Sequence, residues 1–141
     1  MAVILDSQGS VVKPWDTMQD TGTLRTFGTG ATRDTAENKH EPWGFTSALV
    51  EKRFCEYMHR HRTQSDGDLR DSDNWKKGIP HEAYKHSLSR HVQDLRLILE
   101  GYGEQARESD LEEVLCSILF NVQGMLHEVI KDRLPKTIRE S

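Results

Sequence analysis

Three segments of the chain repeat apolar residues at the spacing of a helix, and each is bounded by residues that start or stop helices. The first segment covers 46–62. The second begins at Pro80, which suits a first helical position, and ends at Gly101. The third opens at Ser109, interpreted as the serine of a capping box, and ends before Pro135. The pattern predicts a mainly α chain with three principal helices.

The first 45 residues differ from the rest because they are rich in Gly, Thr and Asp and carry no helical repeat. Two short apolar runs, 2–5 and 11–15, flank the turn-forming residues Ser7 to Ser10. We therefore expect a short β-hairpin followed by an extended arm. A length of 141 residues fits one structural domain. Its expected parts are the hairpin and arm (1–45), the helical domain (46–134) and a C-terminal tail (135–141).

Composition narrows the class of protein. The chain is 35% hydrophobic and 30% charged with a net charge of -4, which is typical of neither a disordered nor a membrane protein. Without an excess of Lys and Arg, direct nucleic-acid binding is not expected. The apolar start ends at Asp6, too early for a signal peptide. Cys55 and Cys116 lie in separate helical segments, which favours reduced core thiols. We expect a cytoplasmic protein.

Some polar residues occupy positions where a helix should be apolar. On a helical wheel of the first segment, Glu51 falls inside the apolar arc. A buried carboxylate needs a partner, which can be a metal ion or equally an arginine. On the second helix, His91 falls on the apolar face, where a satisfied core histidine is the commoner explanation. Asp94 lies three residues on, so both side chains could reach one cation.

The third helix carries a polar stripe along one edge of a broad apolar face. Its members are Asp110, Glu113, Ser117, Asn121 and Glu128, with Gly124 filling the gap. Negative charge in a first turn is also favoured by the helix dipole alone. Inward-facing acids on neighbouring helices would nevertheless supply the oxygen ligands that Mg²⁺ or Mn²⁺ prefers. The polar segments add four basic residues that could donate hydrogen bonds to phosphate oxygens. Without such a role they would be ordinary surface charges: Arg33, Lys39, Lys76 and Lys77.

Several short blocks carry a family resemblance. They are Gly30–Asp34, Asn38–Lys39, Asp73–Pro80, Ser89–His91 and Asn121. In this order they resemble the phage dATP/dGTP diphosphohydrolase (MazZ-like) group, which is similar to the MazG-type all-α nucleotide pyrophosphohydrolases. The resemblance extends over about Phe27 to Asp132. It implies hydrolysis of a purine deoxynucleoside triphosphate to the monophosphate and pyrophosphate with Mg²⁺ or Mn²⁺, inside the host cell if a phage encodes the chain.

The resemblance also suggests residue roles. Asp110 and Glu113 occupy the two acidic positions of the MazG-type ExxD segment with their acid types exchanged, while the companion EExxE pattern is absent. Together with the inward-facing acids, the expected metal ligands are Glu51, Asp94, Asp110 and Glu113, and the expected catalytic residues are Glu51, His91 and Glu113. The expected substrate-binding residues are Arg33, Lys39, Asn74, Trp75, Lys77, Arg90 and Asn121.

Two further expectations concern partners and alternatives. MazG-type enzymes build their bundle from two or more chains, and the third helix has an apolar face wider than three helices can cover. We therefore expect a homo-oligomer, at least a dimer. The alternative functions are a nucleotide-binding protein that sequesters its ligand without cleaving it, and a structural phage protein that binds no nucleotide.

Overall fold

The three helical segments expected from the apolar spacing are present in the computed structural model, which describes residues 5, 7–11, 23–34 and 39–136. The described chain is mainly helical, with one small antiparallel sheet. It divides into two compact units, Met1–Thr46 and Ser47–Ser141. The elements are β1 (Leu24–Thr26), β2 (Thr32–Asp34), α1 (Pro42–Phe45), α2 (Ala48–Arg60), a 3₁₀ helix (Asn74–Lys77), α3 (His81–Leu99), a second 3₁₀ helix (Gly103–Gln105) and α4 (Leu111–Arg133).

The N-terminal unit contains one isolated bridge at the position of the predicted hairpin and one hairpin that was not predicted. An antiparallel bridge joins Leu5 to Val11 across the predicted turn, while the rest of the two apolar runs lies outside the described residues. The arm was expected to be extended, but β1 and β2 pair within it. Gly30 closes their turn with φ +87, a backbone conformation that side chains disfavour, and its N–H donates to Phe27 O at 2.8 Å. The four-residue α1 was not predicted.

The helix α2 is shorter and less buried than its apolar pattern suggested. It begins after Ser47, whose Oγ accepts from Val50 N at 3.2 Å, and ends at Arg60. Tyr57 is buried, whereas Val50 and Cys55 are exposed. The prediction of two core thiols is therefore wrong for Cys55, although it is confirmed for Cys116 in α4.

The main packing contact of the helical unit joins α3 to α4, and it explains the polar stripe. Tyr84 of α3 lies directly over Gly124 of α4, where an added Cβ would be 2.3 Å from the ring Cζ. Only glycine permits this approach. Ser117, Asn121 and Glu128 are buried on the same edge of α4. The stripe is therefore part of the helix interface, while much of the apolar face points outward.

The ends of α3 and α4 follow their sequence signals with one change. Gly101 has φ +89 and follows the last turn of α3, as predicted. Asp110, and not Ser109, caps α4, because its Oδ1 accepts from Glu113 N at 3.1 Å.

By length and composition alone α4 could cross a membrane, and 33% of its most apolar window is buried. One such helix is weak evidence for a membrane protein.

Candidate functional site

A cavity of about 580 Å³ lies in the helical unit between α2, the 61–79 loop, α3 and α4. This size is within the range of cavities that bind small molecules and cofactors. The side chains that define its character are Phe54, Tyr57, His61, Arg62, Arg70, Asp71, Asn74, Trp75, His91, Phe120 and Asn121. With His59 and Gln123, which also belong to the lining, the cavity combines aromatic rings, three histidines, two arginines and three side-chain amides.

The aromatic part of the lining is held by ring contacts between the 3₁₀ helix and α4. Trp75 meets Phe120 edge to face with ring centroids 6.3 Å apart, and meets His127 at 4.9 Å. Phe120 in turn contacts the buried ring of Tyr84 at 5.9 Å. Aromatic edge-to-face pairs of this kind have defined geometry. Trp75 is thus fixed as one wall of the cavity although it comes from a 3₁₀ helix of only four residues.

The amide of Asn121 has a fixed orientation. The residue is 3% exposed, and its Nδ2 donates to Ser117 O at 2.7 Å. Ser117 Oγ in turn pairs with Tyr57 Oη at 2.8 Å. One amide hydrogen and the carbonyl oxygen of Asn121 have no partner among the described residues. They can therefore serve as donor and acceptor to a ligand.

His91 is the second fixed polar group of the lining. It is half-buried on α3, and its Nδ1 is a buried nitrogen without a hydrogen-bond partner in the described chain. Burial, assisted by the charge of Arg107, lowers the pKa of His91. The imidazole is therefore neutral near pH 7, with one nitrogen donating and the other accepting.

Two arginines contribute positive charge at the loop side of the cavity. Arg62 Nε donates to Arg70 O at 2.7 Å, and Arg70 Nη1 donates to His61 O at 3.4 Å. These bonds to main-chain oxygens orient both guanidinium groups without neutralising them. Neither arginine forms an ion pair within the described ranges. Asp71, the acid that directly follows Arg70 in sequence, also lines the cavity.

The residues predicted to bind substrate divide into three groups. Asn74, Trp75 and Asn121 line the cavity, together with the predicted catalytic His91. The side chains of Lys77 and Arg90 are exposed and lie outside the lining. Arg33 and Lys39 belong to the N-terminal unit, which is described separately from this cavity.

Glu113 is surrounded by arginines. Its Oε1 accepts from Arg60 and, at 3.2 Å, from Arg53 Nη2. His61 Nε2 lies 3.9 Å from Oε2. The hydrogen bond from Arg60 is the largest cause that lowers the pKa of Glu113, followed among the favourable interactions by that from Arg53. The carboxylate is charged at pH 7, and its charge is balanced by the two guanidinium groups.

The other three predicted acids lie in three different environments: one is buried, one caps a helix and one is exposed. Asp94 is 3% exposed and accepts from Arg107, at 2.8 Å from Nη2 and 3.1 Å from the backbone N. Asp110 caps α4 through its side chain. The burial predicted for Glu51 is wrong: Glu51 is exposed, because α2 contacts α4 through the row that holds Arg53 and Tyr57.

These positions do not fit the predicted metal site. Within the part of the chain that the structure describes, no three His, Cys, Asp or Glu side chains come together as a metal-binding group. Asp94 and Glu113 are each paired with arginine, and Glu51 stands apart at the surface. Asp94, Glu113 and Glu51 therefore do not converge in the described structure, and the predicted divalent cation stays a prediction.

Several cavity residues had no prediction attached to them. Phe120 is the neighbour of Asn121 on α4, and the apolar pattern marked it only as a helical residue. Arg62 and Arg70 flank a polar stretch whose turn, closed by a bridge from Thr63 to Leu69, brings them together.

Comparison of the chain with protein-family models, curated proteins and solved structures finds no match.

Proposed function

We propose that the cavity binds a purine deoxynucleoside triphosphate and that the chain hydrolyses it to the monophosphate and pyrophosphate. One observation carries the proposal. Asn74 and Trp75, His91 and Asn121 belong to three separate blocks of the family resemblance, and all of them line the same cavity. The shared cavity is what the family resemblance leads us to expect of these residues, and it is the support for the proposal.

The aromatic side of the cavity suits a purine base. Trp75, Phe54 and Phe120 offer ring surface, and stacking of a base on an aromatic ring contributes roughly 1–3 kcal/mol. The neutral imidazole of His91 and the oriented amide of Asn121 supply both donors and acceptors. A flat ligand with polar edges satisfies these groups better than an aliphatic one does.

The loop side of the cavity suits the phosphates. Arg62 and Arg70 are held by main-chain oxygens and have no carboxylate bound to them in the described residues. Guanidinium groups bind phosphate oxygens in a bidentate manner. The proposal therefore places the triphosphate toward the 61–70 loop and the base toward Trp75.

Hydrolysis and the divalent cation rest on the family resemblance. Mg²⁺ keeps several waters and is commonly bound by one or two carboxylates together with substrate phosphates, so it can arrive with the nucleotide. The four predicted acids do not form a ready site, and we assign no catalytic step to them. The MazG-like character of the bundle, the homo-oligomer and the location in the host-cell cytoplasm are parts of the same proposal.

One observation favours a second function, the sequestering of a nucleotide without cleavage. Glu113 is balanced by Arg53 and Arg60, and Asp94 by Arg107. Carboxylates that are neutralised in this way are poor metal ligands unless the ion pairs open. A protein of this kind would use the same cavity and release no product.

The deciding experiment incubates the purified chain with each dNTP and Mn²⁺ or Mg²⁺ and separates the products by chromatography. Monophosphate with pyrophosphate supports the proposal, and release of inorganic phosphate would move the cleavage site. Binding without product supports sequestering. If neither binding nor product is seen with any nucleotide, both functions are refuted.

Matched variants locate the ligand. Arg70→Ala removes a cavity arginine and should weaken triphosphate binding about tenfold, the effect of losing a charge-assisted hydrogen bond. Arg90→Ala removes an exposed arginine outside the lining and should leave binding unchanged. Trp75→Leu should weaken binding of the nucleoside as well as the triphosphate, because it removes the stacking surface. Equal effects of the two arginine variants would refute the placement of the phosphates.

A further inference from the structure

Asp71 is the only acidic residue among the side chains that line the cavity in the described chain. It is exposed, and its carboxylate forms no hydrogen bond or ion pair within the described ranges. In this respect Asp71 differs from Glu113 and Asp94, each of which is held by arginine. Asp71 can therefore bind a ligand without first giving up a partner.

A short turn sets the position of Asp71. Asn74 N donates to Asp71 O at 3.1 Å, so the two residues are the first and last of a β-turn and lie close together. Asn74 lines the same cavity and adds an amide oxygen. Arg70 directly precedes Asp71, and its backbone N donates to Arg62 O at 2.8 Å. The loop therefore holds a carboxylate and an amide beside the two cavity arginines.

A carboxylate in this place repels a triphosphate unless a cation lies between them. The proposed function puts the phosphates at Arg62 and Arg70, next to Asp71, and two arginines carry less charge than a triphosphate. Like charges a few ångströms apart repel, most strongly where water is partly excluded. Mg²⁺ and Mn²⁺ remove this conflict because they prefer oxygen ligands. Mg²⁺ in particular is commonly bound by one or two carboxylates together with substrate phosphates.

Two other polar groups show independently that this cavity suits a polar ligand. Asn121 lines the cavity and is 3% exposed, and its carbonyl oxygen has no partner among the described residues. His91 Nδ1 is likewise buried without a hydrogen-bond partner in that part of the chain. Buried polar groups normally have partners. Both atoms thus mark the cavity as a binding site on grounds that do not involve Asp71.

We propose that Asp71 binds the divalent cation that accompanies a nucleoside triphosphate in this cavity, with Asn74 as the neighbouring oxygen donor. The inference rests on the proposed function, because it needs the triphosphate at the loop side. One carboxylate and one amide are too few ligands to hold Mg²⁺ alone, so the cation is bound only together with the phosphates. None of the arginine-paired acids has to open its ion pair.

The test measures binding of the α,β-methylene analogues of dATP and dGTP by titration calorimetry, once with Mg²⁺ and once with EDTA. The wild type should bind more tightly with Mg²⁺. Asp71→Asn should weaken binding with Mg²⁺ by at least about tenfold, since losing even a residue that supports a metal ligand lowers metal affinity about 10–100-fold. With EDTA the same variant should bind as tightly as the wild type or more tightly, because the repulsion is gone.

Asp73→Asn is the matched control, because Asp73 is an exposed acid of the same turn that lies outside the lining. It should bind as the wild type does under both conditions. A second measurement follows the electron paramagnetic resonance signal of free Mn²⁺ in the presence of the analogue. The wild type and Asp73→Asn should lower this signal more than Asp71→Asn does. Circular dichroism checks that each variant is folded, and Asp71→Ser replaces Asp71→Asn if that variant does not fold.

The possible results separate this inference from the proposed function. Equal affinity of the wild type with Mg²⁺ and with EDTA overturns the inference and leaves nucleotide binding intact. An equal loss in Asp71→Asn under both conditions also overturns it, because Asp71 then contacts the nucleotide itself. The same response from Asp73→Asn overturns it as a general effect of charge. If neither analogue binds under either condition, the proposed function is refuted and the inference with it.

Discussion

Replacing Gly124 by alanine tests the close approach of α3 to α4. In an exposed helix, this substitution stabilises by roughly 1 kcal/mol, because alanine restricts the unfolded chain and favours the helix. Here the added methyl would be 2.3 Å from Tyr84 Cζ and 2.4 Å from Cε1 and Oη. Atoms cannot remain at that separation, so either α3 and α4 move apart or the Tyr84 ring leaves its site.

Both responses are costly. Overpacking of a core typically costs about 1–3 kcal/mol, and removing a large aromatic side chain from a core costs about 3–5 kcal/mol. Tyr84 is only 2% exposed, so its ring cannot move into solvent without leaving the core. The cheaper response, overpacking at about 1–3 kcal/mol, is offset by the gain of about 1 kcal/mol from helix propensity, so we expect Gly124→Ala to lower the free energy of unfolding by up to about 2 kcal/mol.

Urea unfolding followed by circular dichroism measures the change, and an unchanged m-value shows that the midpoint reports stability. The control places the same substitution in a Tyr84→Ala background, where the clash is absent. There Gly124→Ala should be neutral or stabilising. A Gly124→Ala protein that is more stable than the wild type would refute the contact between α3 and α4 at this position.

Three further predictions concern buried charge and are all measured by urea unfolding. Arg107→Ala leaves Asp94 with only a backbone donor. It should lower the free energy of unfolding by about 1–2 kcal/mol, because Arg107 is itself half exposed. An unchanged free energy of unfolding would show that the pair is not formed. Arginine hydrogen bonds lower the pKa of Glu113, so its contribution is present above the pKa of the unfolded carboxyl group and is lost as the pH falls through the folded value. Glu113→Gln should therefore lose less stability than the wild type between about pH 5 and pH 3. Burial lowers the pKa of His91, so the unfolded chain takes up the proton first and stability falls below about pH 6.5; an equally steep decline in His91→Gln would contradict this.

Sequence alone determined the positions of the main helices and part of their packing. Apolar spacing and the residues at helix ends depend on local geometry, so the 3.6-residue period located α2, α3 and α4 to within about two residues. The polar stripe with its gap at Gly124 was also readable, because residues along one helix edge must share their surroundings. The end of α3 at Gly101 follows from the backbone conformation that glycine allows.

Tertiary structure decided which partners the polar groups have. The wheel of the first helix placed Glu51 inward, yet α2 contacts α4 through the row of Arg53 and Tyr57, and that choice depends on the neighbouring helix. The pairing of Glu113 with arginines of α2 joins residues more than 50 positions apart. Arg62 and Arg70 are brought together by a loop, and no repeat of apolar residues in the sequence predicts how that loop folds. Helix formation is a local property of the chain, whereas the partner of a charge and the lining of a cavity depend on contacts that only the folded chain creates.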